Sequence, residues 1–157
     1  MSPRRASAEP FVNRHIFGLD IVAVLGEEHG HLVSGNSLHP AVMWSALKNE
    51  TLLTHDLASE DAAQLLTATG ASPARLRRVQ LTEAIVELAR SGHGVGVLTA
   101  WPGMDHGAAK VRILPLVPRH TRDFHAIWRR SNPRRLPIEQ LATYLRLDTE
   151  KWTHSTT

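Results

Sequence analysis

Histidines are the residues of this sequence that most suggest metal ligands, because ten of them occur in 157 residues. His29 and His31 are one residue apart and His39 follows eight positions later, a spacing that could bind zinc. No H-E-x-x-H motif accompanies them, and the sequence has no cysteine to act as a thiolate ligand or nucleophile. We therefore expect surface or core histidines, with neither a metal nor a cofactor.

Other patterns with catalytic potential are equally weak. The sequence has no G-x-S-x-G motif. The glycines of Gly92-His-Gly94-Val-Gly96 lie between a predicted helix and the next strand, whereas a phosphate-binding loop lies between a strand and the next helix. We interpret them as a helix stop with close helix–strand packing. Glu83 and Glu87 are one helical turn apart, but solvated surface is the simpler interpretation of this pair. These patterns predict no enzyme.

The remaining candidate is a polar edge where two helices begin directly after strands. Free N–H groups and the positive end of the helix dipole make such an edge attractive to a carboxylate. In a parallel sheet these helix starts meet at one edge, where ligands commonly bind. An aspartate there would repel an anion but could accept a hydrogen bond from the amino group of an amino acid. The predicted edge residues are Thr54, His55, Asp56, Ser59, Gln80 and Thr82.

The elements that would position this edge alternate between strand and helix. Ser59 and Thr82 are good helix caps, and short apolar runs precede and follow each helix. Strand–helix–strand–helix–strand over 51–99 predicts two βαβ units with a parallel sheet. Pro40 to Lys48 suggests a short, weakly helical stretch. The predicted strands are 17–25, 51–54, 76–80, 95–99, 110–116 and 123–129, and Pro137 is predicted to open a last helix with Ile138, Leu141, Ala142 and Leu145 on its apolar side.

Composition is that of an ordinary globular domain, with 42% hydrophobic and 21% charged residues. No apolar run approaches the ~18 residues that span a bilayer, and the N-terminal residues do not resemble a signal peptide, so we expect a cytoplasmic protein. The net charge of +3 divides unevenly, with −4 over residues 1–74 and +7 over residues 75–157. A basic half is compatible with nucleic acid or an anionic ligand, but its arginines are scattered over several elements.

Several segments, taken in order, resemble the effector-binding domain of LysR-type transcription regulators. Residues 19–25 with Glu28-His-Gly-His-Leu32 resemble a strand of that family and its D-H-P-L-A turn, with Gly30 at the position of proline. Residues 47–54 resemble the next strand. Glu83 to Ala100 is similar to the family's A-G-l-G-I-a-l-L-P helix and strand, and is the most specific match. Pro115-Leu116 and residues 124–130 resemble the closing strands, and residues 137–145 resemble the closing helix.

The resemblance implies an α/β, periplasmic-binding-protein-like (type 2) fold, with one complete parallel βαβαβ lobe and part of a second lobe. It implies a domain over 17–147, with the complete lobe near 26–104 and the partial lobe at 17–25 and 105–147. Residues 1–16 would then be a flexible segment and 148–157 a tail. The match starts partway through the family's domain, so we expect a fragment or truncated product, or one completed by a partner chain.

The same resemblance implies a function without catalysis. A small anionic or zwitterionic metabolite, an amino acid or organic acid, would bind between the lobes, with Thr99 and Trp101 near the hinge of the cleft. Binding would shift an equilibrium that is relayed to a DNA-binding helix-turn-helix, which we expect to lie outside this chain. Family members usually pair side by side, so a homodimer is expected, and no membrane partner.

Two alternatives stay open at this point. One is a small α/β enzyme that binds a phosphorylated or carboxylated substrate at the helix N-termini. The other is direct binding of nucleic acid through the basic half of the chain, which would weaken steeply with salt.

Overall fold

The computed structural model describes residues 10–55, 66–101, 104 and 110–153, with side chains described as far as residue 149. Within these residues the elements are, in chain order, β1 Phe11–Gly26, a 3-10 turn Glu27–Leu32, β2 Val33–Gly35, β3 Pro40–Met43, a second 3-10 turn Trp44–Asn49, β4 Thr51–Thr54, β5 Arg75–Arg78, α1 Thr82–Arg90, β6 Val95–Thr99, β7 Val111–Val117, β8 Thr121–Arg129 and α2 Arg135–Thr153. Residues 66–69 are also helical. None of the described helices is long and apolar enough to cross a membrane.

The strands form a mixed sheet in the order β2-β3-β7-β1-β6-β4-β5, and β8 pairs with β1. β4 is parallel to both β5 and β6, which confirms the predicted parallel βαβαβ arrangement. β1 is antiparallel to β6 and to β7, and β3 is parallel to β7. The fold class expected from the sequence is therefore confirmed.

The central strands are buried on both faces of the sheet. Along β1, Ala23 and Leu25 belong to one core cluster and Val24 to the other. β4 divides in the same way, with Leu52 in the first cluster and Leu53 in the second. This alternation follows from the period of two in a strand. The apolar run that ends at residue 25 is therefore buried on both faces of the sheet from Val22 onward.

Different elements cover the two faces. On the first face, Trp44 and Leu47 of the second 3-10 turn are buried, and the Trp44 indole N–H donates to the carbonyl oxygen of Pro118 at 2.9 Å. On the second face, Ile85 and Ala89 of α1 are fully buried. The register of α1 on the sheet therefore depends on these two side chains.

Two glycines serve the helix stop and the close packing expected of the glycine-rich stretch. α1 ends at Arg90, and Gly92 has φ +73°, a conformation that favours glycine. In β6, a Cβ on Gly96 would lie 2.9 Å from Cγ2 of Ile85 and 3.0 Å from Cβ of Val24. A side chain at position 96 would therefore push α1 away from the sheet.

The prediction that the stretch from Pro40 to Lys48 is weakly helical is wrong for its first half. Pro40–Met43 is strand β3, and only Trp44–Asn49 turns, as a 3-10 helix. Val42 and Met43 pair with Leu116 and Val117 of β7. This pairing joins residues more than seventy positions apart, so local helix propensity could not reveal it.

Smaller boundary corrections follow from the same kind of pairing. β1 begins at Phe11 rather than at residue 17, and β5 is Arg75–Arg78 rather than 76–80. β8 is Thr121–Arg129 rather than 123–129, and its burial alternates, with Trp128 buried and Ile127 exposed.

The last helix is longer than expected, running from Arg135 to Thr153, and its inner side agrees with the prediction only in part. Of the predicted apolar side, Ala142 is buried and Ile138 half-buried, whereas Leu141 and Leu145 are exposed and Thr149, which was not predicted, is buried. The Thr149 hydroxyl is satisfied by the carbonyl oxygen of Leu145 at 2.9 Å.

The chain divides into two compact units. One is Leu19–Arg122, and the other, within the described chain, comprises residues 10–18 and 123–153. The lobe boundaries that the sequence suggested stay a prediction.

Candidate functional site

The edge predicted from the sequence lies where β5, β4 and β6 end. In the register of the sheet, Thr54 is opposite Arg78, and Leu53 is opposite Gly96. Because the three strands run in the same direction, the loops that follow them gather at one edge. We call this edge, from Thr54 to His55, Arg78 to Thr82 and Thr99 to Trp101, the carboxyl edge.

Direct contacts join the first two of these segments. The His55 ring nitrogen Nε2 lies 3.1 Å from Oγ1 of Thr82 at the start of α1, and both residues are half-buried. The carbonyl oxygen of His55 accepts a hydrogen bond from Nε of Arg78 at 3.1 Å. The carbonyl oxygen of Thr54 accepts one from the Val79 N–H at 2.9 Å. The end of β4 is therefore fixed both to the end of β5 and to the start of α1.

Thr82 does not cap α1, which corrects the role that the sequence suggested for it. The N-cap position is Leu81, no side chain caps the helix, and the first bond runs from the Ile85 N–H to the Leu81 carbonyl at 3.1 Å. Thr82 is instead the first helical residue, and its hydroxyl meets His55. The N–H groups of the first turn therefore have no acceptor within the helix.

Three further predicted residues lie at or just beyond the strand ends at the same edge. Gln80 is exposed after β5. Thr99 is half-buried and opposite Ile21 of β1. Trp101 is 47% exposed, and its carbonyl oxygen accepts from the Met104 N–H at 3.1 Å. The predicted residues Asp56 and Ser59 lie outside the described residues.

Arg78 is a residue that the sequence analysis did not select. In the sequence it is one of several scattered arginines. Only the pairing of β5 with β4 shows that Arg78, the last residue of β5, lies opposite Thr54. β5 also carries Arg75 and Arg77, both exposed, and it is the last strand of the sheet. A charged terminal strand also discourages pairing with foreign strands. Arg78 differs from its neighbours in its bond to His55.

Asp20 and Arg119 are a second omission, and they add an ion pair to this edge. The Arg119 Nε lies 2.7 Å from Oδ1 of Asp20, and the Ala100 N–H donates to the Asp20 carbonyl at 2.7 Å. Asp20 reaches this position because β1 runs antiparallel to β6. An acid inside an otherwise apolar run was the signal in the sequence that could have identified it.

The histidines separate into different surroundings. Glu50, and not His39, accompanies the first pair: its Oε2 lies 3.4 Å from Nε2 of His29, and its Oε1 lies 3.4 Å from Nε2 of His31. His39 sits at the exposed turn before β3, where its N–H bonds to Oδ1 of Asn36 at 2.7 Å. Over the described ranges, no group of three acidic or histidine side chains could hold a metal ion.

The other two patterns are structural. Glu83 and Glu87 are both exposed, and Glu87 forms an ion pair with Arg90. The glycines 92–96 follow the end of α1, as described above, and do not precede a helix start.

Comparison with known proteins gives a consistent family match. The family described as the LysR substrate binding domain matches residues 3–148. No curated protein matches the sequence significantly.

Among solved structures, the reduced form of OxyR is 24% identical with a TM-score of 0.68, covering 88% of this chain and 65% of that one. The MetR regulatory domain from N. meningitidis is 16% identical with a TM-score of 0.68, covering 92% of this chain and 67% of that one. The CcmR regulatory domain of Synechocystis PCC6803, in complex with 2-PG, is 17% identical with a TM-score of 0.67, covering 95% and 70%. The chain therefore spans about two thirds of the length of these structures, and the likeness concerns the fold, which is that of periplasmic binding proteins.

Proposed function

This chain belongs to the LysR substrate-binding-domain family, the effector-binding domain of transcription regulators rather than of enzymes, and from that premise we propose that it senses a small anionic or zwitterionic metabolite at the carboxyl edge. The observation that carries the proposal is the contact between His55 and Thr82 at 3.1 Å, at the edge where three parallel strands end. We assign ligand contact to these two residues and to Thr54, Gln80, Thr99 and Trp101, with Asp56 and Ser59 beyond the described residues.

The chemistry of the His55–Thr82 pair suits an oxyanion. When His55 carries its proton on Nε2, it donates to the Thr82 oxygen and leaves the hydroxyl hydrogen free. That hydrogen can then be donated to a carboxylate oxygen of the ligand. The N–H groups in the first turn of α1 point toward the N-terminal end of the helix. They add hydrogen-bond donors and a positive potential there. Hydroxyl and backbone donors together would hold one carboxylate.

The charges near the edge favour the same ligand class. Arg78 contributes a guanidinium group beside His55, and the charge of Asp20 is offset by Arg119. The amino group of a zwitterion needs an acceptor, and we assign that part to Asp56. An amino acid or a small organic acid therefore fits the edge better than a phosphorylated substrate that needs catalysis.

Regulation follows if the ligand binds one conformation of the domain better than another. At saturation, the ligand changes the free-energy difference between the two conformations by the difference between its two binding free energies. A ligand with equal affinity for both conformations would therefore have no effect. We assign DNA contact to a helix-turn-helix outside residues 3–148, and expect the regulator to act as a homodimer.

A thermal-shift screen of the full chain against amino acids and organic acids tests the proposal. At a free ligand concentration of ~100 times Kd, the stabilisation is about 2.7 kcal/mol. For a chain of this size that raises Tm by about 5–10 °C. In Thr82→Val the ligand carboxylate loses the hydrogen bond from the Thr82 hydroxyl, which is worth roughly 1.5–3 kcal/mol because the acceptor is charged. Kd should therefore rise about tenfold or more.

Thr51→Val is the matched control. Thr51 is half-buried at the start of β4, roughly 10 Å from Thr54 at the carboxyl edge. The same chemical change at Thr51 should therefore leave Kd unchanged. If no ligand of either class raises Tm, or if Thr82→Val and Thr51→Val bind the ligand equally well, the proposal is refuted.

A further inference from the structure

The turn between β8 and α2 carries a concentrated group of positive charges. Residues 124–138 contain four arginines and no acidic residue. The four side chains, all exposed, are those of Arg129, Arg130, Arg134 and Arg135. We call residues 129–135 the arginine turn. It belongs to a different compact unit from the carboxyl edge, so the proposed effector site does not account for it.

Asn132 holds the arginine turn in a compact backbone conformation. Its N–H donates to the carbonyl oxygen of Arg129 at 2.9 Å, and its own carbonyl oxygen accepts from the Arg135 N–H at 3.1 Å. Its Oδ1 accepts from the Arg134 N–H at 2.9 Å. Each of the two backbone bonds closes a turn of four residues, whose first and last Cα atoms are less than about 7 Å apart. The Cα atoms of Arg129 and Arg135 therefore lie within about 14 Å of each other.

The arginine turn is also fixed to the start of β1. The Arg130 N–H donates to the carbonyl oxygen of Pro10 at 2.9 Å. The Arg129 guanidinium group lies over the Phe11 ring, 6.0 Å from its centre. The arginines thus extend from a backbone that is already ordered, which lowers the entropy lost when they bind a partner.

Three of these guanidinium groups have no use within the fold as ion-pair partners. In the part of the chain that the structure describes, no ion pair involves Arg129, Arg134 or Arg135. Arg134 and Arg135 also stand at the N-terminal end of α2, whose first turn has no acidic residue. This end of a helix is the positive end of its dipole, so positive side chains there are unfavourable for the helix. Such an arrangement indicates an anion outside the domain.

The phosphate backbone of duplex DNA suits the arginine turn better than an acidic protein surface. A guanidinium group can donate two parallel hydrogen bonds to one phosphate. Each DNA strand has one phosphate per ~3.4 Å of helix axis, so a span of about 14 Å presents roughly four phosphates. The exposed Ser131 hydroxyl is a further donor of the kind that contacts phosphates. Residues 129–135 include no aromatic or large aliphatic side chain, which the core of a protein interface would supply.

We propose that the arginine turn contacts the phosphate backbone of duplex DNA, in addition to the contact assigned above to a helix-turn-helix. Phosphate contacts carry no sequence information, so the arginine turn binds duplexes of any sequence. This contact makes no use of the carboxyl edge and does not depend on effector binding.

Fluorescence anisotropy of a labelled duplex of random sequence, titrated with the full chain, tests the proposal. With three phosphate contacts, log Kd should rise with log salt at a slope of about 2.7, so Kd should rise about fortyfold between ~20 and ~80 mM salt. Arg134→Gln combined with Arg135→Gln removes two of the contacts. In this variant the slope should fall to about 0.9, and Kd at ~20 mM salt should rise at least about tenfold.

Arg75→Gln combined with Arg77→Gln is the matched control. Both side chains are exposed on β5, and their loss changes the net charge by the same amount. This variant should bind the duplex within about threefold of the parent chain, because its charges lie outside the arginine turn. The Arg134 and Arg135 variant should keep the Tm of the parent or exceed it, because it removes positive charge from the positive end of the helix dipole.

Polyglutamate of the same total charge as the duplex separates DNA from an acidic protein partner, and it should bind at least about tenfold more weakly than the duplex. Four results would each overturn the proposal. They are a parent chain that does not bind the duplex at ~100 µM in ~20 mM salt, an equal loss of binding in the two double variants, a lower Tm in the Arg134 and Arg135 variant, and polyglutamate that binds as tightly as DNA.

Discussion

The contact between α1 and β6 at Gly96 allows a quantitative test of how the carboxyl edge is held in place. α1 begins with Thr82 and rests on the sheet through Ile85. In Gly96→Ala, the new methyl group would lie 2.9 Å from Cγ2 of Ile85 and 3.0 Å from Cβ of Val24. Both distances are shorter than ordinary van der Waals contact, so the helix must move. Overpacking of this kind costs about 1–3 kcal/mol.

The cost should depend on Ile85. Ile85→Ala alone removes a fully buried side chain and should lower the free energy of unfolding by about 2–5 kcal/mol. The cavity that it leaves accepts part of the methyl group at position 96. The chain with both substitutions should therefore be more stable than the sum of the two single effects predicts, by about 1 kcal/mol. The contact between the new methyl group and Val24 remains, so Ile85→Ala relieves only part of the overpacking.

Equilibrium unfolding in urea, followed by tryptophan fluorescence and circular dichroism, measures all four corners of this cycle. Gly30→Ala is the control, because a Cβ at Gly30 would meet nothing within 4 Å, and its effect should stay within about 0.5 kcal/mol. Strictly additive effects, or a Gly96→Ala chain as stable as the parent, would refute the assigned packing of α1 on β6.

Two further substitutions test the turns that support the sheet. Trp44→Phe removes the N–H that donates to the Pro118 carbonyl at 2.9 Å, and should lower the free energy of unfolding by about 1–3 kcal/mol; an unchanged urea midpoint would contradict this. Gly92→Ala forces a methyl group onto a residue with φ +73°, and should cost about 1–2 kcal/mol, measured as a fall in Tm of roughly 2–8 °C; a rise in Tm would show that the conformation differs.

The parallel half of the sheet could be predicted from the sequence because its signals are local. Thr51–Thr54 and Val95–Thr99 are short apolar runs, and Gly92 marks the end of α1, the helix that precedes Val95–Thr99. Alternation of strands and helices then requires parallel pairing. The contact of His55 with Thr82 follows from that topology, since His55 directly follows the end of β4 and Thr82 begins the helix after β5.

The remaining features depend on contacts between distant residues. β3 could not be recognised because its partner β7 lies more than seventy residues away, and Asp20 joined the carboxyl edge only through the antiparallel pairing of β1. Arg78 looked like any surface arginine until β5 was aligned with β4. The apolar side of α2 was predicted only in part for another reason. Ile138 and Ala142 fit the helical period both with the exposed Leu141 and Leu145 and with the buried Thr149, and periodicity cannot choose between overlapping sides of a helix.

The arginines of β5 have a consequence for the behaviour of the protein at high concentration. β5 is the last strand of the sheet and has backbone groups that an incoming strand could pair with, which is the first step of fibril growth. A β5 strand from another copy would bring Arg75, Arg77 and Arg78 of both copies within a few ångströms of one another. The repulsion among six guanidinium groups opposes that contact most strongly in dilute salt, so concentrated stocks of this protein should resist gelling better in low-salt buffer than in molar salt, where the repulsion is screened.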